Sequence, residues 1–303
     1  MRTWKTVLGG LLLGSLWAQQ GAFRIGAVLL PQSSFLFNAD DAKAGSKVIG
    51  RPFTLGFAGG LSASYHFTDN LGVGLDVLFS NQGQRYQGVS YIKGELIINE
   101  DTTYFNVPVD YTARTTLNYL KVPAYFYFNT DPDAKVFFTA FLGPQVNLLI
   151  SYKERLDGTV ETSFFGSIPF NVTASGKTIR GEAQLDEGSE VEGKFTELPY
   201  RSFLFGLAGG AGIGISLTDN LLLSLSLRAD YTLGDAENKE AKVEGTDSDG
   251  EPFSYKFWSR QHKYDPSGGL ALLSGEAPPD YKRAPTRTMT AGLQIGIYYV
   301  IGR

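Results

Sequence analysis

Cysteine is absent from all 303 residues, and that one absence removes disulfides, thiolate metal sites and a thiol nucleophile together. It also excludes a bacterial lipoprotein, whose anchor needs a cysteine after the signal peptide. Histidine is scarce, present only as His66 and His262, so imidazole chemistry has few residues to draw on. Positive charge is not in excess either. The formal net charge is −4, the wrong sign for a general nucleic-acid binder. Beyond the first segment, no apolar run approaches the roughly 20 residues a spanning helix requires, and long helical periodicity is lacking.

What is present is glycine, at 36 residues, with 13 % aromatics and 19 % charged residues, a composition that favours an all-β domain. The first segment reads as a targeting signal. Arg2 and Lys5 supply its positive start, residues 7–16 its apolar stretch, and Ala18 a cleavage position. The competing reading, a short membrane anchor, is disfavoured because the apolar stretch ends too soon. The expected organisation is a signal peptide over 1–18 and one β-barrel domain over 19–303.

The stretch 57–80 sets the pattern for that domain. Phe57, Leu61, Ala63, Tyr65 and Phe67 alternate with Ala58, Gly60, Ser62, Ser64 and His66. After the turn cluster Thr68-Asp69-Asn70, Leu71, Val73, Leu75, Val77 and Phe79 alternate with Gly72, Gly74, Asp76 and Ser80. A period of two puts one set on each face of a strand. The unit returns with Ile213, Ile215 and Leu217, the same Thr218-Asp219-Asn220 turn, and Leu221, Leu223, Leu225 and Leu227 against Ser224, Ser226 and Arg228.

Taken along the chain, this alternation predicts eight strands: 23–30, 53–67, 71–86, 115–129, 135–152, 200–217, 221–233 and a last one carrying Met289 to Ile301. Pro144 lies inside the fifth and predicts a bulge or bend there. The segments 91–98 and 103–111, around Asn99-Glu100-Asp101, read as hairpin arms that extend the third and fourth strands as a ribbon. The 153–197 and 234–284 segments read as long connections. Long and short connections alternate, as in outer-membrane barrels with periplasmic turns on one rim and extracellular loops on the other. Unpaired backbone in hydrocarbon costs several kcal/mol per group, on the order of 2–7, so lipid-facing strands must close into a ring. The expected fold is therefore an all-β, eight-stranded, antiparallel, up-and-down transmembrane β-barrel. A soluble lipocalin-like barrel or a sandwich would instead turn the apolar faces inward.

The pattern resembles the PorT-like outer-membrane β-barrel family of Bacteroidota-type bacteria. The resemblance rests on the glycine-rich strand 57–64 with Tyr65 to Leu71 after it, and on Tyr119-Leu120-Lys121-Val122-Pro123, similar to that family's Tyr-x-x-x-Pro strand. Gly143-Pro144-Gln145 and Leu227 to Gly234 add to it. Two features depart from the family: the last two loops are long, and the end, Tyr298 to Arg303, lacks the usual terminal aromatic. The resemblance implies location in the outer membrane and a link to protein secretion for its named member, with no catalytic residue.

On the inward faces, Arg24, Asp76, Lys121, Gln145, Arg228, Asp230 and Gln294 recur, with Asn147. They fit a salt-bridged plug in a narrow lumen, because eight strands leave room for side chains and little else. They also fit the lining of a narrow, porin-like channel for small solutes. The inward glycines Gly206, Gly210, Gly212 and Gly214 are expected to make room for the long polar side chains. His66 and His262 show no pairing with a serine, so no enzyme activity, metal or other cofactor is expected. Asp247-Ser248-Asp249-Gly250-Glu251 lacks the spacing of a calcium loop, and the sequon Asn171-Val172-Thr173 carries little weight. Tyr65, Phe67, Phe126, Phe128 and Tyr299 are expected in the periplasmic aromatic girdle, and Phe79, Tyr152, Phe203 and Tyr231 in the outer one. The expected partners are outer-membrane lipid and secretion or envelope proteins, with no nucleic acid, around a monomer.

Overall fold

The computed structural model describes residues 21–39, 49–50, 52–98, 101–131, 134–162, 166–177, 182–186, 193–246, 252–256 and 284–302. The signal peptide, the 247–251 acidic stretch and His262 lie outside the described residues, and so do the side chains of the 171–173 sequon. In chain order the strands are β1 (Ala22–Phe37), β2 (Ile49–Gly50), β3 (Leu55–His66), β4 (Leu71–Ile98), β5 (Asp101–Asn129), β6 (Val136–Thr162) and β7 (Gly166–Lys177). They continue with β8 (Glu182–Asp186), β9 (Gly193–Phe195), β10 (Phe203–Thr218), β11 (Leu221–Thr232), β12 (Lys242–Thr246), β13 (Pro252–Lys256) and β14 (Arg287–Ile301).

Eight of these strands form a closed antiparallel ring. From β1 it runs through β3, β4, β5, β6, β10, β11 and β14, and β14 pairs back with β1 from Phe23↔Ile301 to Phe37↔Arg287. The β6–β10 pairing, Phe203↔Leu148 to Ile215↔Val136, and the β11–β14 pairing, Leu221↔Tyr299 to Tyr231↔Met289, bridge the two long excursions of the chain between neighbouring wall strands. Every wall strand therefore has a partner on both sides, which leaves no edge of unpaired backbone. β4 and β5 remain paired out to Ile98↔Asp101, so the ribbon read from the sequence is one continuous hairpin.

The apolar stripe of each strand points outward. Leu61, Leu142 and Leu227 are 68 %, 63 % and 71 % exposed, and Leu29, Leu75, Phe126 and Ile297 share their face. Ser62, Asp76, Gln145 and Arg228 face the interior and are buried. A water-soluble sandwich would show the reverse; an oily belt around a polar interior is the arrangement a bilayer solvates.

The structure corrects the sequence reading in several places. Pro144 makes no bulge: it stays in register opposite Leu207. Its missing N–H shows as a gap in the β5–β6 ladder, where pairing passes from Pro123↔Gln145 to Phe126↔Leu142 without a register change. The bulge lies further along, where Asn118 faces Ser151 while Tyr119 faces Leu149. The extra residue, Ile150, reverses which side chains of β6 point inward. Tyr152 is consequently buried in the interior, not placed in the outer girdle. The 153–197 segment is not a simple loop either. β6 runs on to Thr162 and pairs with β7, and β7 pairs with β8.

Candidate functional site

The interior is filled in layers. At the end carrying the short turns, Val28, Leu78, Phe137, Leu222, Tyr298 and Val300 pack together, and Tyr125, Phe141 and Ala208 form a second cluster. Gly214 and Gly210 lie against the rings of Phe137 and Phe141, where any Cβ would collide with them. The room expected for long polar side chains is thus taken at these two positions by aromatic rings.

A charged layer occupies the middle, centred on Arg228. Its Nε donates to Asp230 Oδ1 at 2.8 Å, its Nη1 to Gln294 Oε1 at 3.1 Å and to Asp76 Oδ2 at 3.4 Å, and its Nη2 to Gln145 Oε1 at 3.2 Å. Lys121 Nζ donates to Asp230 Oδ2 at 2.8 Å and to Thr290 Oγ1 at 3.3 Å. Gln145 Nε2 in turn donates to Asn147 Oδ1 at 2.6 Å. The Arg228 guanidinium also lies 5.5 Å from the centre of the Tyr125 ring, within cation–π range. All these polar side chains are buried. Two cations face two carboxylates, so the layer is neutral and each charge has an opposite partner, which buried charges require.

Six of the seven residues singled out from the sequence therefore meet: Asp76, Lys121, Gln145, Arg228, Asp230 and Gln294. Arg24 does not join them. Its guanidinium lies 5.7 Å from the Phe137 ring centre, and it lines a separate cavity of about 20 Å³ with Ser64, Tyr127, Thr139, Ser224 and Tyr298. That is space for about one water molecule.

His66 is also not isolated, contrary to the sequence reading. Ser64 Oγ lies 3.3 Å from its Nε2, and Asn129 Nδ2 lies 3.1 Å from its Nδ1. One nitrogen of a neutral imidazole donates and the other accepts, so the direction of these two contacts follows the ring's tautomer. Both Ser64 and His66 are buried. Among the described residues, no group of three or more His, Cys, Asp or Glu is placed to hold a metal ion.

The third layer was missed in the sequence. Leu36, Leu117, Tyr119, Leu149, Tyr152, Tyr200, Leu204 and Ala236 form a buried cluster at the end with the long connections. The Tyr200 hydroxyl donates to Glu154 Oε1, and the Tyr152 and Tyr200 rings lie 5.4 Å apart. Segments outside the wall hold Tyr200 in place. Tyr200 bridges Glu237, Arg201 N donates to Ala236 O at 2.9 Å, and Ala236 N donates to Thr286 O at 2.8 Å. Asn38 Nδ2 donates to Ala284 O at 2.8 Å. Tyr200 is not the start of the 200–217 strand expected from the sequence: β10 begins at Phe203, Tyr200 makes an isolated bridge to Glu237, and Ala236 lies outside the strands, so alternation could not place either in this layer.

Residues 17–238 match the family described as "Outer membrane protein beta-barrel domain". No curated protein matches the chain. Among solved structures, the chain is similar to Neisserial surface protein A at 12 % identity and a TM-score of 0.33, with 92 % of this chain and 97 % of that one covered. It is similar to a major outer membrane protein of Thermus thermophilus at 12 % identity and a TM-score of 0.35, covering 92 % and 99 %. The outer membrane protein OprG of Pseudomonas aeruginosa gives 13 % identity and a TM-score of 0.30, covering 93 % and 96 %. The family match carries the assignment; these distant likenesses add nothing to it.

Proposed function

This chain belongs to the outer membrane protein β-barrel family, and from that premise we propose that it is a plugged barrel serving as a structural or interaction component of the cell envelope. It resides in the outer membrane. Following the general rule for such barrels, its short turns face the periplasm and its long connections the outside. The observation that supports a plug most is the Arg228 cluster, which ties β4, β6, β11 and β14 together through side chains inside the ring. With Lys121 drawn in from β5 and the Tyr200 layer above, little of the lumen is left for a solute.

A filled interior leaves function to the outer connections and the periplasmic rim. The Tyr119 to Pro123 and Gly143 to Gln145 signatures support a PorT-like affiliation, with secretion or envelope proteins as partners of a monomeric barrel. No catalytic role is assigned to Ser64 and His66, which are both buried in the barrel interior. Crosslinking in intact membranes followed by purification tests this reading: envelope or secretion proteins are expected to be retained. Swelling of liposomes carrying the purified protein in small solutes would replace it with passive transport.

A further inference from the structure

Three arginines stand side by side on the outside of the wall. Arg85 on β4 is the direct partner of Arg114 on β5, and Arg114 is the direct partner of Arg155 on β6. All three are exposed, as is Lys153, one outward position from Arg155. Residues directly opposite in an antiparallel ladder have Cβ atoms about 4.5–5.5 Å apart, and like charges so placed repel. Arg155 is paired with Asp157 at 2.9 Å, both partners half-exposed. Among the described residues, neither Arg85 nor Arg114 has a side-chain hydrogen bond or ion pair. Asp110, the other outward acid nearby, lies four residues beyond Arg114 on β5.

The surface below this row has a definite order. Nearest the short turns the outward residues of β4, β5 and β6 are apolar, ending with Phe79, Leu120 and Leu148 in register. Next comes a polar uncharged band, in which Asn81 Nδ2 donates to Asn118 Oδ1 at 2.7 Å and Asn118 Nδ2 to Ser151 Oγ at 2.9 Å. The first charged outward residues above it are the four cations. Hydrocarbon, uncharged polar groups and then anionic headgroups follow one another in the same order through the outer half of a membrane. Arginine forks bind phosphate oxygens two at a time, and their long stems let them reach down toward the interface.

We propose that Arg85, Arg114, Arg155 and Lys153 form a docking site for the anionic, phosphate-bearing headgroup of an outer-leaflet lipid, whose acyl chains cover the apolar wall beneath. The lipid is favoured over a free anion because the cations crown a lipid-facing strip. A bound phosphate would also relieve the repulsion along the row.

Native mass spectrometry of the protein in a non-ionic detergent, titrated with phosphatidylglycerol or phosphatidylcholine, tests the site. Phosphatidylglycerol is expected to bind preferentially. The triple variant Arg85→Gln/Arg114→Gln/Arg155→Gln should weaken that binding by about tenfold or more, while Arg201→Gln, an exposed arginine outside the row, should not. Unchanged binding in the triple variant, equal loss in Arg201→Gln, or inorganic phosphate binding as tightly as the lipid would overturn the site. Folding is checked by heat-dependent gel mobility. In lipid-free detergent the triple variant should unfold at the same or a higher temperature, and a lower one would contradict the repulsion on which the site depends.

Discussion

Lys121 Nζ lies 2.8 Å from Asp230 Oδ2, joining β5 to β11 across the inside of the ring although β6 and β10 separate them in the wall. Both side chains are almost fully buried. Removing one member of such a pair leaves a charge short of partners in a low-dielectric interior. Lys121→Met should therefore destabilise the barrel by about 3–5 kcal/mol, read by urea unfolding in vesicles. The double variant Lys121→Met/Asp230→Asn should lose clearly less than the two single losses combined. Simple additivity would mean that the two groups are not coupled.

The Tyr200–Glu154 contact predicts a closed outer mouth. Because the chain contains no cysteine, a single introduced thiol can report access without background. Leu117 is fully buried in the Tyr200 layer, so a thiol in Leu117→Cys should react slowly with a water-soluble maleimide. Adding Tyr200→Ala should raise that rate by about tenfold or more, if each uncovering removes at least ~1.4 kcal/mol of protection. An unchanged rate would place the barrier elsewhere.

The outward face predicts a penalty that depends on depth. Leu75 is 49 % exposed on the wall between the periplasmic turn and Phe79. Leu75→Arg should cost about 2–4 kcal/mol in lipid vesicles. No measurable cost would mean that water, and not lipid, covers this surface.

Gly214 and Phe137 predict a compensating pair. Gly214→Val would push against the Phe137 ring and should destabilise by about 1–3 kcal/mol. Combining it with Phe137→Ala should recover part of that loss. A double variant worse than the sum of its parts would contradict the close approach.

Much of the wall was legible because a barrel strand exposes one face to lipid and the other to a polar lumen, so its period of two survives in the sequence. Leu71 to Phe79 and Leu221 to Leu227 show this most plainly. Arg228, Asp76 and Lys121 were legible for the same reason: each is a charge at an inward position of the alternating pattern. Their meeting follows from ring closure, which sets them across a narrow space. The bulge at Ile150 was not legible. Nothing local distinguishes Leu149, Ile150 and Ser151 from regular strand, whereas Pro144 drew attention by lacking a donor. The ladder absorbs that proline as a gap without losing register, as it does around Pro31, where pairing passes from Leu29↔Ile295 to Gln32↔Gly292. The inward turn of Tyr152 and Glu154 depends on the hidden bulge. The cap built on Tyr200 depends on contacts between distant connections, which no periodicity records.

Current through the purified protein in planar lipid bilayers tests the filled interior most directly. The account predicts no steady open level in the wild-type protein, because the Arg228 layer and the Tyr200 layer both obstruct the path. Stable, stepwise conductance in the wild type that Arg228→Ala abolishes would contradict it and make the same residues the lining of a channel.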